Sequence, residues 1–265
     1  MKSIEQLVSV RLSSGMTIKQ ANSSVCQEII LNKISKTPFV DKVLIKGGVV
    51  MFNLSHNVRR STLDLDFDFI KYDISEESIK AFIDSLNEID SQYRLTIGGV
   101  EKLHQDDYAG KRVHVSINDG RESLSFKIDI GVHTLLAINQ NKICFNFIDG
   151  DDIVLMANPP EQIVAEKLFS LAKHNRFSTR FKDVLDIYYL IINACLNKQL
   201  VKDCLTLLAD KNHYGITSIK DIYSIIEETF NNKTFLEHYI QADDKWLDEN
   251  YKTITKTILD YIYSI

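Results

Sequence analysis

Between residues 63 and 70 the chain reads LDLDFDFI, with apolar and acidic side chains alternating strictly. A period of two predicts a half-buried β-strand. Leu63, Leu65, Phe67 and Phe69 are expected on its buried face, and Asp64, Asp66 and Asp68 on the other. Upstream, DKVLIK (41–46) predicts a short strand running into Gly47-Gly48, after which GVVMFNLSH forms a turn of helix. Residues 3–12, 17–35 and SEESIKAFIDSLNEI (75–89) carry helical apolar spacing, the last behind a capping serine. YRLTIGGVEKL, KRVHVSIND and SLSFKIDIGV read as three further strands, the last two joined through Asp119-Gly120, a hairpin signal.

The pattern changes at Pro159-Pro160. Asn158 as a cap, proline in the first turn and Glu161 next predict a helix start. From there nearly everything is helical: 160–174, 181–197, 199–210, 217–230 and a terminal helix over about 244–263. The plan is α+β, a mixed-sheet domain over residues 1–157 followed by a helical bundle over 158–265.

Composition leaves this plan intact and narrows the classes of function. The 265 residues are 45% hydrophobic and 25% charged, enough for a sizeable core. A formal net charge of −5 argues against non-specific coating of nucleic acid, while allowing a local basic patch. Cys26, Cys144, Cys195 and Cys204 are scattered without metal-binding spacing, which fits reduced thiols that are mostly buried. MKSIEQLVSV lacks the apolar stretch of a signal peptide, and IYYLIINACL (187–196) is too short to span a bilayer. A soluble cytoplasmic protein without membrane contact is expected.

The acidic strand is where chemistry enters. Asp64 and Asp66 share a face with Cα atoms roughly 6.6 Å apart, close enough for their carboxylates to converge on one hard cation or bracket two. A solvated acidic face is the plainer alternative, but aspartate is disfavoured in strands and like charges at this spacing repel. SLSFKIDIGV adds Asp129, flanked by Ile128 and Ile130. If that strand pairs beside the first, Asp129 completes a cluster with Asp64 and Asp66, and Lys127 on the same face either contacts a phosphate or balances charge. Three carboxylates from two strands suit two-metal phosphoryl transfer. Gly47-Gly48, at a strand exit and helix start, suits close approach of backbone amides to phosphate.

The order strand, Gly-Gly, helix, Asp-x-Asp strand resembles the nucleotidyltransferase superfamily that includes DNA polymerase β. Residues 46–69 resemble, more narrowly, the AbiEii/AbiGii toxin family of type IV toxin–antitoxin (abortive infection) systems. The matching residues are Lys46-Gly47-Gly48, then Arg60-Ser61-Thr62-Leu63-Asp64-Leu65-Asp66-Phe67, then Lys127 to Ile130, then Glu166-Lys167 and RFKDVLDIYYL at 180–190. The resemblance implies a polymerase β-like catalytic domain that transfers a nucleoside monophosphate from an NTP to the hydroxyl of an RNA, tRNA included, or of a protein. It implies Mg²⁺ or Mn²⁺ at Asp64, Asp66 and Asp129, and a nucleotide site drawn from Lys46, Gly47, Gly48, Arg60, Thr62, Lys127, Lys167 and Asp183. It also implies a cognate antitoxin partner.

Plainer readings stand beside these. Lys167 on helix 160–174 is equally a snorkelling surface lysine, and an Arg180–Asp183 or Lys167–Asp183 ion pair docking the two domains would explain those residues too. Arg59 and Arg60 either bind phosphate or neutralise the aspartates. Lys111-Arg112 could extend a basic track for an RNA acceptor. His56, His114 and His133 show no base–nucleophile pattern, and Trp246, Tyr251, Tyr261 and Tyr263 read as core. A metal-dependent phosphohydrolase or nuclease, or a non-catalytic binding module on the same fold, are the rival functions.

Overall fold

The computed structural model describes residues 2–105, 108–135, 137–147, 151–211 and 213–265. The chain divides into two compact units, Met1–Asn158 and Pro159–Ile265.

In the first unit, α1 (Ile4–Ser13) and α2 (Ile18–Ile34) each begin on a capping box, in which the Ser3 and Thr17 hydroxyls accept from the Gln6 and Gln20 amides. β1 (Val43–Lys46) passes directly into α3 (Gly47–Ser55), and a single 3-10 turn at Val58–Arg60 leads to β2 (Leu65–Phe69). Then follow α4 (Glu76–Ile89), β3 (Arg94–Gln105), β4 (Tyr108–Asn118), β5 (Ser123–Val132), β6 (Asn141–Phe145) and β7 (Ile153–Ala157). Among the described residues the strands form one seven-stranded sheet in the order β3-β4-β5-β2-β1-β7-β6. β2 runs parallel to β5, and β1 runs antiparallel to β2 and parallel to β7.

One face of this sheet is apolar along β2 and β5 and, beyond Lys111, along β4. Phe67 and Phe69 of β2 meet Phe82 of α4 with ring centroids 5.5 and 5.3 Å apart, and Phe39 and Tyr72 complete the cluster. Ile128 and Ile130 of β5 and Val113, Val115 and Ile117 of β4 are buried on that face as well. Each such side chain contributes about 1.5–3 kcal/mol of burial. A one-residue slip would turn all of them to water, so the hydrophobic pattern fixes the register. The same alternation sends Asp66, Asp68 and Asp129 to the opposite face.

Several expectations need correction. Leu63 is 54% exposed, because the strand begins only at Leu65 and Asp64 lies in the bend before it. β6 and β7 are absent from the sequence reading. β7 is a five-residue apolar run too short to announce itself, and β6 is an edge strand with a charged, largely exposed pattern. Cys26 and Cys204 are buried, each thiol pushed up to about 12 chiefly by burial, whereas Cys144 and Cys195 are exposed; all four are free.

The second unit is helical throughout its described residues: α5 (Pro160–His174), α6 (Phe181–Asn193), α7 (Lys198–Lys211), α8 (Ile219–Asn231), α9 (Lys233–Gln241) and α10 (Tyr251–Tyr263). The cap position of α5 is Pro159, not Asn158, whose amide donates to the Ile45 carbonyl at 3.1 Å. The helix expected to run to 197 stops at Asn193. The terminal helix expected from about 244 begins only at Tyr251, where the Asn250 side chain caps it, and α9, absent from the sequence reading, starts behind the Asn232 cap. Trp246 is buried as expected, while Tyr263 is 84% exposed.

Candidate functional site

The polar face of the sheet carries an ordered row of charge. Backbone pairing sets Lys46 opposite Asp66, Asp66 opposite Asp129, Asp129 opposite Arg112 and Arg112 opposite Glu101. Five adjacent strands, β1-β2-β5-β4-β3, therefore present cation, acid, acid, cation, acid at one level. Directly opposed side chains in a sheet lie about 4.5–5.5 Å apart at Cβ, so each interacts with the next.

Asp64, from the bend before β2, joins Asp66 and Asp129 of this row: each offers a carboxylate oxygen, the three lying within 4.8 Å of one another. All three are half-buried. Ligands trans to each other around Mg²⁺, at about 2.1 Å each, are about 4.2 Å apart, so this all-oxygen triad fits one divalent cation after a small adjustment. The donor set suits a hard ion and not a thiophilic one.

Each acid is held by neighbours. The Thr62 hydroxyl donates to Asp64 Oδ1 at 2.7 Å. From α2, Gln27 Nε2 donates to the Asp64 and Thr62 carbonyls at 2.8 and 3.1 Å, and the Ser23 hydroxyl, one turn earlier, to the Leu63 carbonyl at 3.2 Å. The bend that carries Asp64 is thus pinned to a helix. Arg112 grips Asp129 with both arms of its fork, Nε to Oδ1 at 2.8 Å and NH2 to Oδ2 at 2.7 Å. That bond, against the opposing pull of burial, raises the guanidinium pKa further, with help from the charges of Asp64 and Glu101. Lys46 Nζ lies 2.6 Å from Asp68 Oδ1.

The glycine pair is required by these same side chains. Gly47 has φ +69°, in the left-handed region, and a Cβ there would lie 2.5 Å from Asp66 Oδ2. A Cβ on Gly48 would lie 2.6 Å from that of Thr62. Both glycines let the start of α3 close onto the acids and the threonine that orients one of them.

The sequence-predicted residues divide into two groups. Asp64, Asp66, Asp129, Thr62, Gly47 and Gly48 come together in the first unit. Lys46 is nearby but engaged with Asp68, Lys127 is exposed on the Asp129 face two positions away, and Arg60 is buried at the end of the 3-10 turn. Lys167 and Asp183 belong to the second unit, where Lys167 pairs with Asp183 and, at 2.9 Å, with Asp186. That pair joins α5 to α6 and does not bridge the two units. Arg112, read from sequence as part of an RNA track, is turned to Asp129 instead. Arg112, Gln27 and Ser23 were missed as site residues. Strand periodicity could have placed Arg112 on the acidic face, whereas nothing local marks Gln27 or Ser23.

A family model described as "Nucleotidyl transferase AbiEii toxin, Type IV TA system" matches residues 29–261, which takes in the triad, Arg112 and both glycines. No curated protein matches the chain. Two solved structures from Helicobacter pylori share the fold. JHP933 aligns at TM-score 0.53 and 14% identity over 94% of this chain and 92% of its own. A chain described as a candidate nucleotidyltransferase aligns at TM-score 0.54 and 15% identity over 94% and 95%.

Proposed function

We propose that this chain, which belongs to the AbiEii family of nucleotidyl transferase toxins of type IV toxin–antitoxin systems, transfers a nucleoside monophosphate from an NTP to a hydroxyl of an RNA or protein acceptor. The observation that supports the reading most is the β2–β5 register, which puts Asp66 directly opposite Asp129 with Asp64 in reach of both. The first unit is the catalytic domain in this reading, and the second a helical bundle domain.

In the transfer, the acceptor oxygen forms a bond to the α-phosphorus as the bond from that phosphorus to the bridging oxygen breaks, and pyrophosphate leaves. A divalent cation, Mg²⁺ in this reading, supplies charge neutralisation at the phosphates and a lowered pKa for the attacking hydroxyl. Asp64 and Asp66 hold it from β2 and the bend before it, and Asp129 completes the set from β5 and helps activate the acceptor. Thr62 and Gln27 fix the orientation of Asp64. Arg112 keeps Asp129 aimed along the row and balances its charge. The amides at Gly47 and Gly48 face the phosphates from the start of α3, with Lys46, Arg60 and Lys127 as neighbouring cations.

The family implies an antitoxin as partner. No described helix is long and apolar enough to cross a membrane, and action in the cytoplasm is part of the proposal. The deciding experiment incubates the protein with each radiolabelled NTP, Mg²⁺ and total cell RNA and protein. Label in RNA or protein with release of pyrophosphate supports the reading. Undiminished label with a folded Asp64→Ala/Asp66→Ala/Asp129→Ala variant overturns it.

A further inference from the structure

None of the three acids lines the cavity of about 260 Å³ that opens in the first unit between α1, α2, α3 and the residues after β6. Phe52, Phe145 and Phe147 supply aromatic wall, and Val58 of the 3-10 turn lines it too. Asn53 holds α3 against the end of β6: its Nδ2 donates to the Cys144 carbonyl at 2.9 Å, and the Asn146 amide donates to its Oδ1 at 3.2 Å. An apolar cavity of about 150 Å³ holds one benzene ring. A space of about 260 Å³ suits one fused bicyclic ring, and falls short of the roughly 300 Å³ at which pockets for larger ligands begin.

The polar groups of the cavity are buried, and they decide which ring. Arg11 of α1 and Gln27 and Glu28 of α2 are each no more than 8% exposed. The Arg11 guanidinium pairs with Glu28, and its Nε donates to the Ser24 hydroxyl oxygen at 3.2 Å. The pair is neutral as a whole, so a charged ligand would be desolvated beside it without a counter-ion. Gln27 gives both hydrogens of its amide to the Asp64 and Thr62 carbonyls, which leaves its own carbonyl oxygen as the group it can offer the cavity. The Glu28 carboxylate is an acceptor as well. Buried acceptors among phenylalanines call for a ring that brings N–H donors. A hydrocarbon ring would displace water from them and return no hydrogen bond.

We propose that this cavity binds one uncharged, fused-ring nitrogen heterocycle carrying N–H donors, the chemical class of a free purine base with an exocyclic amino group. The ring lies against the phenylalanines, and its donors meet Gln27 and Glu28. Gln27 also holds the bend that carries Asp64. A bond accepted by its carbonyl polarises the amide and strengthens the bonds its N–H groups donate, so the occupant and the divalent cation of the triad each tighten the other's binding. The coupling rests on the transferase reading of the triad; the binding site does not.

The test is titration calorimetry on the full chain without NTP, with adenine as the probe and purine and indole as comparison ligands. Adenine should bind at one site per chain without Mg²⁺. Purine, which lacks the amino group, should bind about tenfold more weakly, the effect of one hydrogen bond. Val58→Phe fills the space and should abolish adenine binding while NTP-dependent labelling is retained. If Val58→Phe does not fold, Phe147→Ala gives the same reading by weakening adenine about tenfold. Asp66→Asn should bind adenine as the wild type does, which separates the cavity from the nucleotide site. With Mg²⁺ the adenine affinity should rise about fivefold, the lower end of such couplings, and Asp64→Ala should remove the rise. Absence of adenine binding, or binding that neither cavity variant changes, overturns the site. Purine or indole binding as tightly as adenine overturns the ligand class, and an affinity indifferent to Mg²⁺ overturns the coupling. Variant-sensitive adenine binding by a protein that labels nothing leaves the cavity standing and overturns the transferase reading instead.

Discussion

The acids and cations on the sheet and those between α5 and α6 are built to opposite ends. On the sheet, three half-buried carboxylates are held within 4.8 Å of one another by a hydroxyl, a backbone turn and a guanidinium fork. In the helical unit, one lysine lies between two acids, and Asp186 is 0% exposed. The first arrangement gathers three like charges, balanced at Asp129 by Arg112, in a geometry that fits a divalent cation. The second closes on itself and clamps α5 to α6. Acidic residues near a cation are thus not one motif; whether the acids face one another or enclose the cation decides the role.

The largest expected effect is on the sheet cluster. Asp66→Asn or Asp129→Asn should cut NTP-dependent labelling by more than about 100-fold, since even residues behind metal ligands cost about 10–100-fold. For Asp66→Asn the melting temperature should hold or rise as repulsion is relieved, and a large fall in it would make the cluster structural like its counterpart. The helical clamp should behave in reverse. Lys167→Met leaves Asp186 buried without that partner, and should cost about 3–5 kcal/mol in denaturant unfolding. If stability were unchanged and only NTP-dependent stabilisation lost, Lys167 would belong to the nucleotide and the contrast would fall.

Gly47→Ala comes next. It places a Cβ against Asp66 Oδ2 in a left-handed backbone, with a cost of about 1–3 kcal/mol. Labelling should fall with it, and a crystal structure of the variant should show Asp66 displaced. The smallest effect concerns a third pair, structural but in the sheet unit. Lys33, buried beneath α4, bonds Asp90 Oδ2 at 2.8 Å and the Leu86 carbonyl at 3.2 Å. Burial would raise the Asp90 carboxyl, but the Lys33 bond and the Tyr93 and Gln92 amides outweigh it and hold it below the usual carboxylate range. A depressed carboxylate stabilises above its unfolded pKa and loses that contribution as pH falls through the folded one. Stability should therefore decline through the acid range below about pH 4, and urea titrations of Asp90→Asn should show a shallower decline there.

The strand carrying Asp66 and the one carrying Asp129 were legible because alternation with Leu65, Phe67, Ile128 and Ile130 leaves a strand no other way to face the core. The helices up to α6 were legible from spacing and caps in the same way, and α5 from its proline. Short elements were not: β6 and β7 have five residues each and α9 has nine, and the starts of α9 and α10 depend on two asparagines whose capping role shows only in place.

What the sequence determined by itself was which side chains share a face, because that depends only on local geometry and on the free energy of removing apolar groups from water. The pairing of β2 with β5, the turn of Arg112 onto Asp129 and the clamp of Gln27 on the Asp64 bend were decided by the tertiary structure alone. Those contacts join residues 17 to 63 positions apart along the chain, and no local preference encodes a distance across a sheet.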